Sequence, residues 1–186
     1  MTKKALNRYV ALLRAVNLGA GRQVSMPALR ELLEGLGMTD VATYVQSGNV
    51  VFTTNQQNRE VVAHLLEEAI GAEFGFEIPV ILLTGAEMAA VIGACPYRAE
   101  ADSDPTKVHV TFVDPTPPPE TWLAIDPAGF APDVFAVGEG VVYMHLPEGM
   151  GRAKLPVRLA KATSDVVATT RNWRTVVNLA EMVGGG

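Results

Sequence analysis

Two strand-like runs joined by a short polar turn are the feature that most constrains this fold. The runs are 41–46 and 49–54, rich in β-branched residues, and Ser47-Gly48-Asn49 lies between them. These residue types suit a tight turn because glycine and asparagine accept a positive φ. The pattern predicts a β-hairpin, which we expect at the centre of the first half of the chain.

Hydrophobic periodicity predicts the same order of elements twice. In the first half, a buried strand over 9–14, a helix beginning at Pro27, the hairpin, a helix capped by Asn58 and an apolar strand follow one another. The strands predicted in the second half are 107–113, 133–137, 141–146 and 166–169. The order β-α-β-β-α-β is that of a ferredoxin-like sheet. The sequence therefore predicts an α+β protein of two ferredoxin-like modules packed together, with an extra C-terminal helix.

A polar, acidic segment separates the two predicted modules. Residues 97–106 include Glu100 and Asp102 and follow the apolar stretch that stops at Cys95-Pro96. Such composition is typical of a linker. We therefore predict an N-terminal module over 1–96, a linker over 97–106, and a C-terminal module with its terminal helix over 107–186.

Composition limits the partners and the compartment. The 186 residues are 48 % apolar and 19 % charged, with a net charge of −5. This balance does not favour broad binding to nucleic acid, although a local basic patch stays possible. The single cysteine, Cys95, fits a reducing cytoplasm. Neither a signal-peptide pattern nor an apolar run long enough to span a membrane is present, so we expect a cytoplasmic protein.

Several motifs together resemble one known family. They are Tyr9-Val10-Ala11-Leu12-Leu13-Arg14, Asn17-Leu18-Gly19, Met26, the stretch 43–52, and the stretch 168–176. The chain resembles the family called domain of unknown function 1697 over nearly its whole length. The resemblance implies a compact bacterial-type α+β protein of two ferredoxin-like parts, and it implies no particular activity. Members often carry lysine where this chain has Gly21-Arg22-Gln23, and arginine binds as a planar fork instead of a point charge.

The first group of candidate binding residues follows strand one. It comprises Arg14, Asn17, Gly19, Gly21 and Arg22. Small residues let backbone N–H groups approach a ligand, and two guanidinium groups suit a phosphate or carboxylate. The group matches neither a phosphate-binding P-loop nor a dinucleotide fingerprint. An ordinary strand-to-helix connection with solvent-facing arginines is the alternative.

The second group lies in the hairpin and comprises Tyr44, Gln46, Ser47 and Asn49. Tyr44 and Gln46 share one face of a strand, where they would read the polar edge of a ligand. Ordinary turn chemistry is the alternative for Ser47 and Asn49. Ser47 lacks the sequence context of a catalytic nucleophile.

The third group, Thr170, Arg171 and Asn172, precedes the last predicted helix. The amides and dipole at a helix N-terminus favour an anion, whereas helix capping explains Thr and Asn without a ligand. No fold reason for Arg171 is evident from the sequence. Trp173 is better explained by packing than by stacking on a ligand.

These groups support two classes of function. The first is a protein that binds a phosphate-bearing small molecule, or a nucleic-acid end, in a cleft between the two halves. The alternatives are an enzyme acting on a small phosphorylated or acyl substrate, with Tyr44 as acid or base, and an interaction protein without a ligand. No catalytic residue, metal site or cofactor is predicted. His109 and His145 could meet across neighbouring strands, but two histidines do not make a zinc site. The oligomeric state is left open.

Overall fold

The protein is a mixed α+β chain with two four-stranded antiparallel sheets. A computed structural model describes residues 5–185. Its strands are β1 Asn7–Leu13, β2 Thr39–Thr43, β3 Asn49–Thr54, β4 Val80–Thr84, β5 Val108–Asp114, β6 Val134–Gly138, β7 Val141–His145 and β8 Val167–Asn172. Its α-helices are α1 Met26–Gly35, α2 Arg59–Phe74, α3 Gly85–Gly93, α4 Arg98–Ser103, α5 Pro119–Leu123, α6 Leu155–Ala162 and α7 Trp173–Gly184, and Pro127–Phe130 forms a short 3-10 helix.

The chain forms two compact units. The first runs to Met88 and includes the segment from Leu179 onward, and the second is Ala89–Asn178. The segment predicted as a linker, 97–106, lies within the second unit and contains α4. Ala101 on this helix is buried, so the segment contributes to packing as well as connecting its neighbours. The final residues of α7 belong to the first unit, whereas the sequence assigned the whole terminal helix to the second module.

The first sheet has the strand order β2-β3-β1-β4. The predicted hairpin is present, with strands β2 and β3 around the turn, and Leu12 of β1 pairs with Asn49 of β3. Helices α1 and α2 pack on one face of this sheet against a core that includes Tyr9, Leu13 and Phe52. The order of elements predicted for the first half is therefore the observed order.

Local sequence signals fix the ends of the helices in this unit. Asn58 caps α2, because its Oδ1 accepts from the Glu60 amide at 2.9 Å. The sequence Thr84-Gly85-Ala86-Glu87 by itself predicts a capping box at α3, and it is present: the Glu87 carboxylate accepts from the Thr84 amide at 2.7 Å, and the Thr84 hydroxyl accepts from the Glu87 amide. Arg8 on β1 donates to the Met182 carbonyl, which ties the end of α7 to this sheet.

The second sheet repeats this arrangement with the order β6-β7-β5-β8. Its core contains Trp122 of α5, Leu155 and Leu159 of α6, and Val142 and Met144 of β7. Strand β8 is longer than predicted and runs to Asn172, because Val110 of β5 pairs with Arg171 and continues the ladder. No helix between residues 5 and 185 is long and apolar enough to cross a membrane.

Candidate functional site

Three segments meet at one end of the first sheet. The chain leaves β1 through residues 14–24, here called the Asn17 loop, and enters β3 through residues 44–48, here called the Ser47 turn. Because β1 and β3 are antiparallel neighbours, the end of one lies beside the start of the other. The segment before β4 joins them, since the Arg14 amide donates to the Pro79 carbonyl at 3.0 Å. The first two sequence-predicted groups are therefore brought together.

Asn17 connects the Asn17 loop to the Ser47 turn. Its Nδ2 donates to the carbonyls of Val24 (3.0 Å) and Gln46 (2.6 Å), and its Oδ1 accepts from the Val24 amide at 2.8 Å. Its own amide donates to the Arg22 carbonyl at 3.0 Å. The side chain thus fixes the two ends of the loop and the neighbouring turn. These bonds occupy the side-chain amide of Asn17, so the role of this side chain in the fold is to order the backbone.

Asn49 has the same kind of role inside the Ser47 turn. It is fully buried, and its Nδ2 donates to the Tyr44 carbonyl and to the Ser47 hydroxyl, each at 2.9 Å. The Tyr44 amide donates to the Asn49 carbonyl at 3.0 Å. These bonds fit the turn chemistry that the sequence allowed for Ser47 and Asn49.

The backbone of both segments is held in the left-handed region at non-glycine residues. Ala15, Asn17 and Arg22 in the loop have φ of 54°, 56° and 50°, and Val45 in the turn has φ of 49°. This conformation costs an L-residue about 1–2 kcal/mol, and a β-branched residue adopts it least readily. The hydrogen bonds of Asn17 and Asn49 hold this costly backbone in place.

Replacing Val45 with asparagine should stabilise the protein. Asparagine tolerates the left-handed region, and the Val45 side chain is 51 % exposed, so little packing is lost. We expect Val45→Asn to raise the free energy of unfolding by about 1 kcal/mol, measured by chemical denaturation.

The matched control for this variant is Val137→Asn. Val137 is 45 % exposed on β6 and is absent from the residues with positive φ. Asparagine should lower stability there because it is a poor strand former. A loss of stability in Val45→Asn as well would contradict the assignment of backbone strain to Val45.

Two arginines carry positive charge at this end of the sheet. Arg14 is half-buried, and Arg22 is exposed with its guanidinium carbon 5.9 Å from the centre of the Phe76 ring. The ion pairs found over residues 5–185 are Arg59–Glu87 and, when the histidine is protonated, His64–Glu68, so neither arginine is neutralised by a carboxylate there. Both guanidinium groups can therefore donate hydrogen bonds to an anion.

The remaining predicted residues of the first two groups belong to the Asn17 loop and to the Ser47 turn. Gly19 is exposed and has a φ of 75°, and a Cβ on it would meet no atom within 4 Å. Tyr44 is half-buried, and Gln46 is exposed. Their side chains are thus accessible, whereas the Ser47 hydroxyl accepts the bond from Asn49.

The third group lies in the second unit, and its residues have distinct structural roles. Arg171 is buried on β8, where its Nη1 donates to the Thr169 hydroxyl at 2.7 Å and to the Thr170 carbonyl at 2.9 Å. Burial lowers the pKa of Arg171 to about 10. The Thr170 hydroxyl shares a 2.8 Å hydrogen bond with that of Thr111 on β5.

The third group directly precedes helix α7, as the sequence predicts, but the structure adds that its residues are the last ones of strand β8. Thr170 and Arg171 lie within β8. Asn172, the last residue of β8, caps α7, because its Oδ1 accepts from the Thr175 amide at 2.9 Å. Trp173 is buried, with the Arg98 guanidinium carbon 5.5 Å from its ring, which agrees with a packing role.

The two candidate histidines do not face each other. Val108 pairs with His145, and His109 pairs with Met144, so the two histidines point to opposite faces of the second sheet. Burial lowers the pKa of His109, and its Nδ1 has no hydrogen-bond partner among the described atoms. No cluster of three metal-binding side chains occurs within residues 5–185.

Two surface cavities differ from the sites that the sequence predicts. One, of about 350 Å³, lies in the first unit beside Glu67, Glu68 and Glu77, whose negative charge does not suit a phosphate. The other, of about 210 Å³, lies in the second unit and is lined by residues that include Asp133 and Arg152. Sequence reasoning missed this cavity, although one signal was available. Asp133 directly precedes β6 and Glu148 shortly follows β7, so pairing of these strands brings the two carboxylates to the same end.

The comparisons with known proteins agree with this architecture. The sequence model of a family described as "Protein of unknown function (DUF1697)" matches residues 6–143. The chain belongs to this family. A solved structure with a similar fold is that of the conserved bacterial protein SP0830 from Streptococcus pneumoniae. The TM-score is 0.73 at 22 % identity, over 97 % of this chain and 99 % of that one. A search of curated proteins finds no match.

Proposed function

We propose that the first unit of this family member binds a phosphate-bearing small molecule at the Asn17 loop. Arg14 and Arg22 would contact the phosphate, and Tyr44 and Gln46 would contact the rest of the ligand. The observation that carries the proposal is a loop ordered by the Asn17 side chain beside two arginines without a carboxylate partner over residues 5–185. A guanidinium fork matches a phosphate with two parallel hydrogen bonds.

Order in the loop supports binding because it lowers the entropic cost of forming the complex. A site whose backbone is already fixed does not lose that freedom when the ligand arrives. Asn17 and Asn49 would therefore act as scaffold residues that do not touch the ligand, which revises their role as candidate contacts. The roles predicted for Thr170, Arg171 and Asn172 in ligand binding, and the location of the ligand in a cleft between the two halves, stay predictions.

A small anionic ligand fits the chain better than a nucleic acid. The net charge of −5 opposes the broad electrostatic attraction that nucleic acid binding needs. We also propose that each unit is a ferredoxin-like module, since strand orders β2-β3-β1-β4 and β6-β7-β5-β8 are equivalent and the core helices pack on one face of each sheet. The single, buried Cys95 supports a cytoplasmic location.

The proposal predicts that removing the arginines abolishes binding without unfolding the protein. The probes are inorganic phosphate, ribose 5-phosphate and adenosine monophosphate, and isothermal titration calorimetry measures the Kd of each. We expect Arg14→Ala and Arg22→Ala each to raise the Kd at least about tenfold, the equivalent of one charge-assisted hydrogen bond. Each variant should change the free energy of unfolding by less than about 0.5 kcal/mol.

Lys161→Ala is the control, because Lys161 is an exposed cation on α6 in the other unit. Its Kd should equal that of the unchanged protein. Failure of every probe to bind, or unchanged binding in the Arg14→Ala/Arg22→Ala double variant, would refute the proposal. Phosphorus NMR of the bound probe separates the two classes of function: an unchanged probe supports a binding protein, and hydrolysis supports the enzyme.

A further inference from the structure

The cavity in the second unit has charges of both signs at its walls. It lies between the segment before β6 and the loop after β7, and its charged lining residues are Asp133, Glu148, Arg152 and Lys154. We call it the charged pocket. Phe130 and Ala153 line it as well and pack against the core of this unit, so the pocket has a fixed apolar wall.

The backbone around the charged pocket is anchored at both ends. The Asp133 amide donates to the Phe130 carbonyl at 2.9 Å, and Val134 at the start of β6 pairs with His145 at the end of β7. The loop after β7 lies between Leu146 and Leu155, both fully buried. The charged residues of the pocket therefore lie on segments that are attached to the second sheet and to α6.

Asp133 is the feature that points to a ligand. The residue as a whole is only 7 % exposed, its carboxylate opens to the pocket, and no hydrogen bond or ion pair to that carboxylate is found in the part of the chain that the structure describes. The carboxylate is therefore free to accept hydrogen bonds from a group that enters the pocket. Burial and the nearby Glu148 carboxylate raise the pKa of Asp133, and His145 acts in the opposite direction.

The cations of the charged pocket do not satisfy this carboxylate. No ion pair within 4.0 Å joins Arg152 or Lys154 to either carboxylate across residues 5–185, although all four residues line one cavity. Side chains of opposite charge thus line one cavity without forming ion pairs with one another over residues 5–185. A ligand with an ammonium group at one end and a carboxylate at the other could pair with the carboxylates and with the cations of the pocket.

The size of the cavity limits the ligand to a small molecule. Its volume is about 210 Å³, below the range of about 300–1,000 Å³ that is typical of sites for drug-sized ligands. Since a water molecule occupies about 30 Å³, the space suits a ligand of about six to ten non-hydrogen atoms. Amino acids and other short amino carboxylates have this size.

We propose that the charged pocket binds a small zwitterion, with its ammonium group at Asp133 and Glu148 and its carboxylate at Arg152 and Lys154. This site is separate from the Asn17 loop, and the inference does not depend on the function proposed for that loop. It assigns the second unit a ligand of its own, of the amino carboxylate class.

The test is a titration of the full chain with small probes, in which NMR chemical shifts of the backbone amides report binding. The zwitterionic probes are L-alanine, β-alanine and γ-aminobutyrate, which differ in the separation of their charges, and the comparators with one charge are propylamine and propionate. We expect at least one zwitterion to shift the amides of 129–133 and 148–154 with saturation. Its Kd should be at least about tenfold lower than that of either comparator.

Variants then identify the groups that bind. Asp133→Asn keeps the shape of the side chain and removes its charge, and the double variant Arg152→Gln/Lys154→Gln removes the opposite charges. Each should raise the Kd at least about tenfold, whereas Glu139→Gln, on an exposed residue in the turn between β6 and β7, should leave it unchanged. Asp133→Asn should also retain the melting temperature, since its carboxylate makes no hydrogen bond or ion pair among the described residues.

Three outcomes would overturn the inference. The first is that no zwitterion shifts these amides at millimolar concentration. The second is that propylamine binds as tightly as the zwitterions, which would indicate a simple cation site. The third is that binding survives in both Asp133→Asn and the double variant, which would locate the ligand elsewhere.

Discussion

Gly48→Ala should strongly destabilise the first unit. Gly48 has a φ of 73°, and a Cβ on it would lie 2.8 Å from Leu13 Cβ and overlap Val16 Cγ2. Leu13 and Val16 are buried core residues and cannot move aside freely. The left-handed backbone costs about 1–2 kcal/mol and overpacking about 1–3 kcal/mol, so we expect a loss of about 2–5 kcal/mol in the free energy of unfolding.

Gly37→Ala is the matched control for this variant. Gly37 has a similar φ of 82°, but a Cβ there would meet no atom within 4 Å. Gly37→Ala should lower the free energy of unfolding only by the cost of the left-handed backbone, about 1–2 kcal/mol. Chemical denaturation of both variants measures the difference, and equal losses would show that the close approach to Leu13 and Val16 has no energetic consequence.

Arg171→Ala is expected to lower the free energy of unfolding by about 3–5 kcal/mol. The substitution opens a cavity beside β8 and removes the donor from the Thr169 hydroxyl and the Thr170 carbonyl. Arg174→Ala, three positions along the chain and on an exposed side chain, should change stability by less than about 0.5 kcal/mol. Similar losses in the two variants would contradict a structural role for Arg171.

Arg171→Met separates packing from charge. Burial lowers the pKa of Arg171 to about 10, so holding the guanidinium charged inside the fold opposes stability. Methionine fills part of the volume without that cost, so this variant should be more stable than Arg171→Ala. A methionine variant as unstable as the alanine variant would show that the hydrogen bonds of Arg171 dominate its contribution.

The Arg171 result also bears on the sequence-based interpretation of this residue. The sequence offered no fold reason for Arg171 and placed it among the candidate ligand-binding residues. Its burial and its hydrogen bonds to Thr169 and Thr170 now supply a fold reason. Stability therefore has to be measured beside binding, because loss of ligand in Arg171→Ala would otherwise reflect loss of structure.

Elements with a strong local signal were predicted from the sequence alone. The hairpin, the Asn58 cap and the capping box of Thr84 and Glu87 all depend on residues close together in the chain. The family was also identified from local motifs, and the family model confirms it. Alternating and helical hydrophobic patterns likewise depend on near neighbours, so the order of elements in both halves follows from them.

The roles of the polar motifs could not be predicted in this way. Asn17 bonds to Gln46, which is far along the chain, and the partner of Arg171 on the next strand is Val110. Strand register decides which side chain is buried, and register depends on the whole sheet. This is also why β8 extends through Arg171 when the local pattern indicated a strand ending at Thr169.

The hairpin at residues 39–54 shows how the determination is divided between sequence and tertiary structure. The sequence by itself determined that this stretch turns back on itself, because Ser47, Gly48 and Asn49 favour a turn and β-branched residues favour the flanking strands. Only the tertiary structure decided that Asn17 and Asn49 order the backbone, while Arg14 and Arg22 form no ion pair with a carboxylate among residues 5–185. The physical reason is that a polar side chain satisfies its hydrogen bonds with whichever groups the packed sheet places beside it.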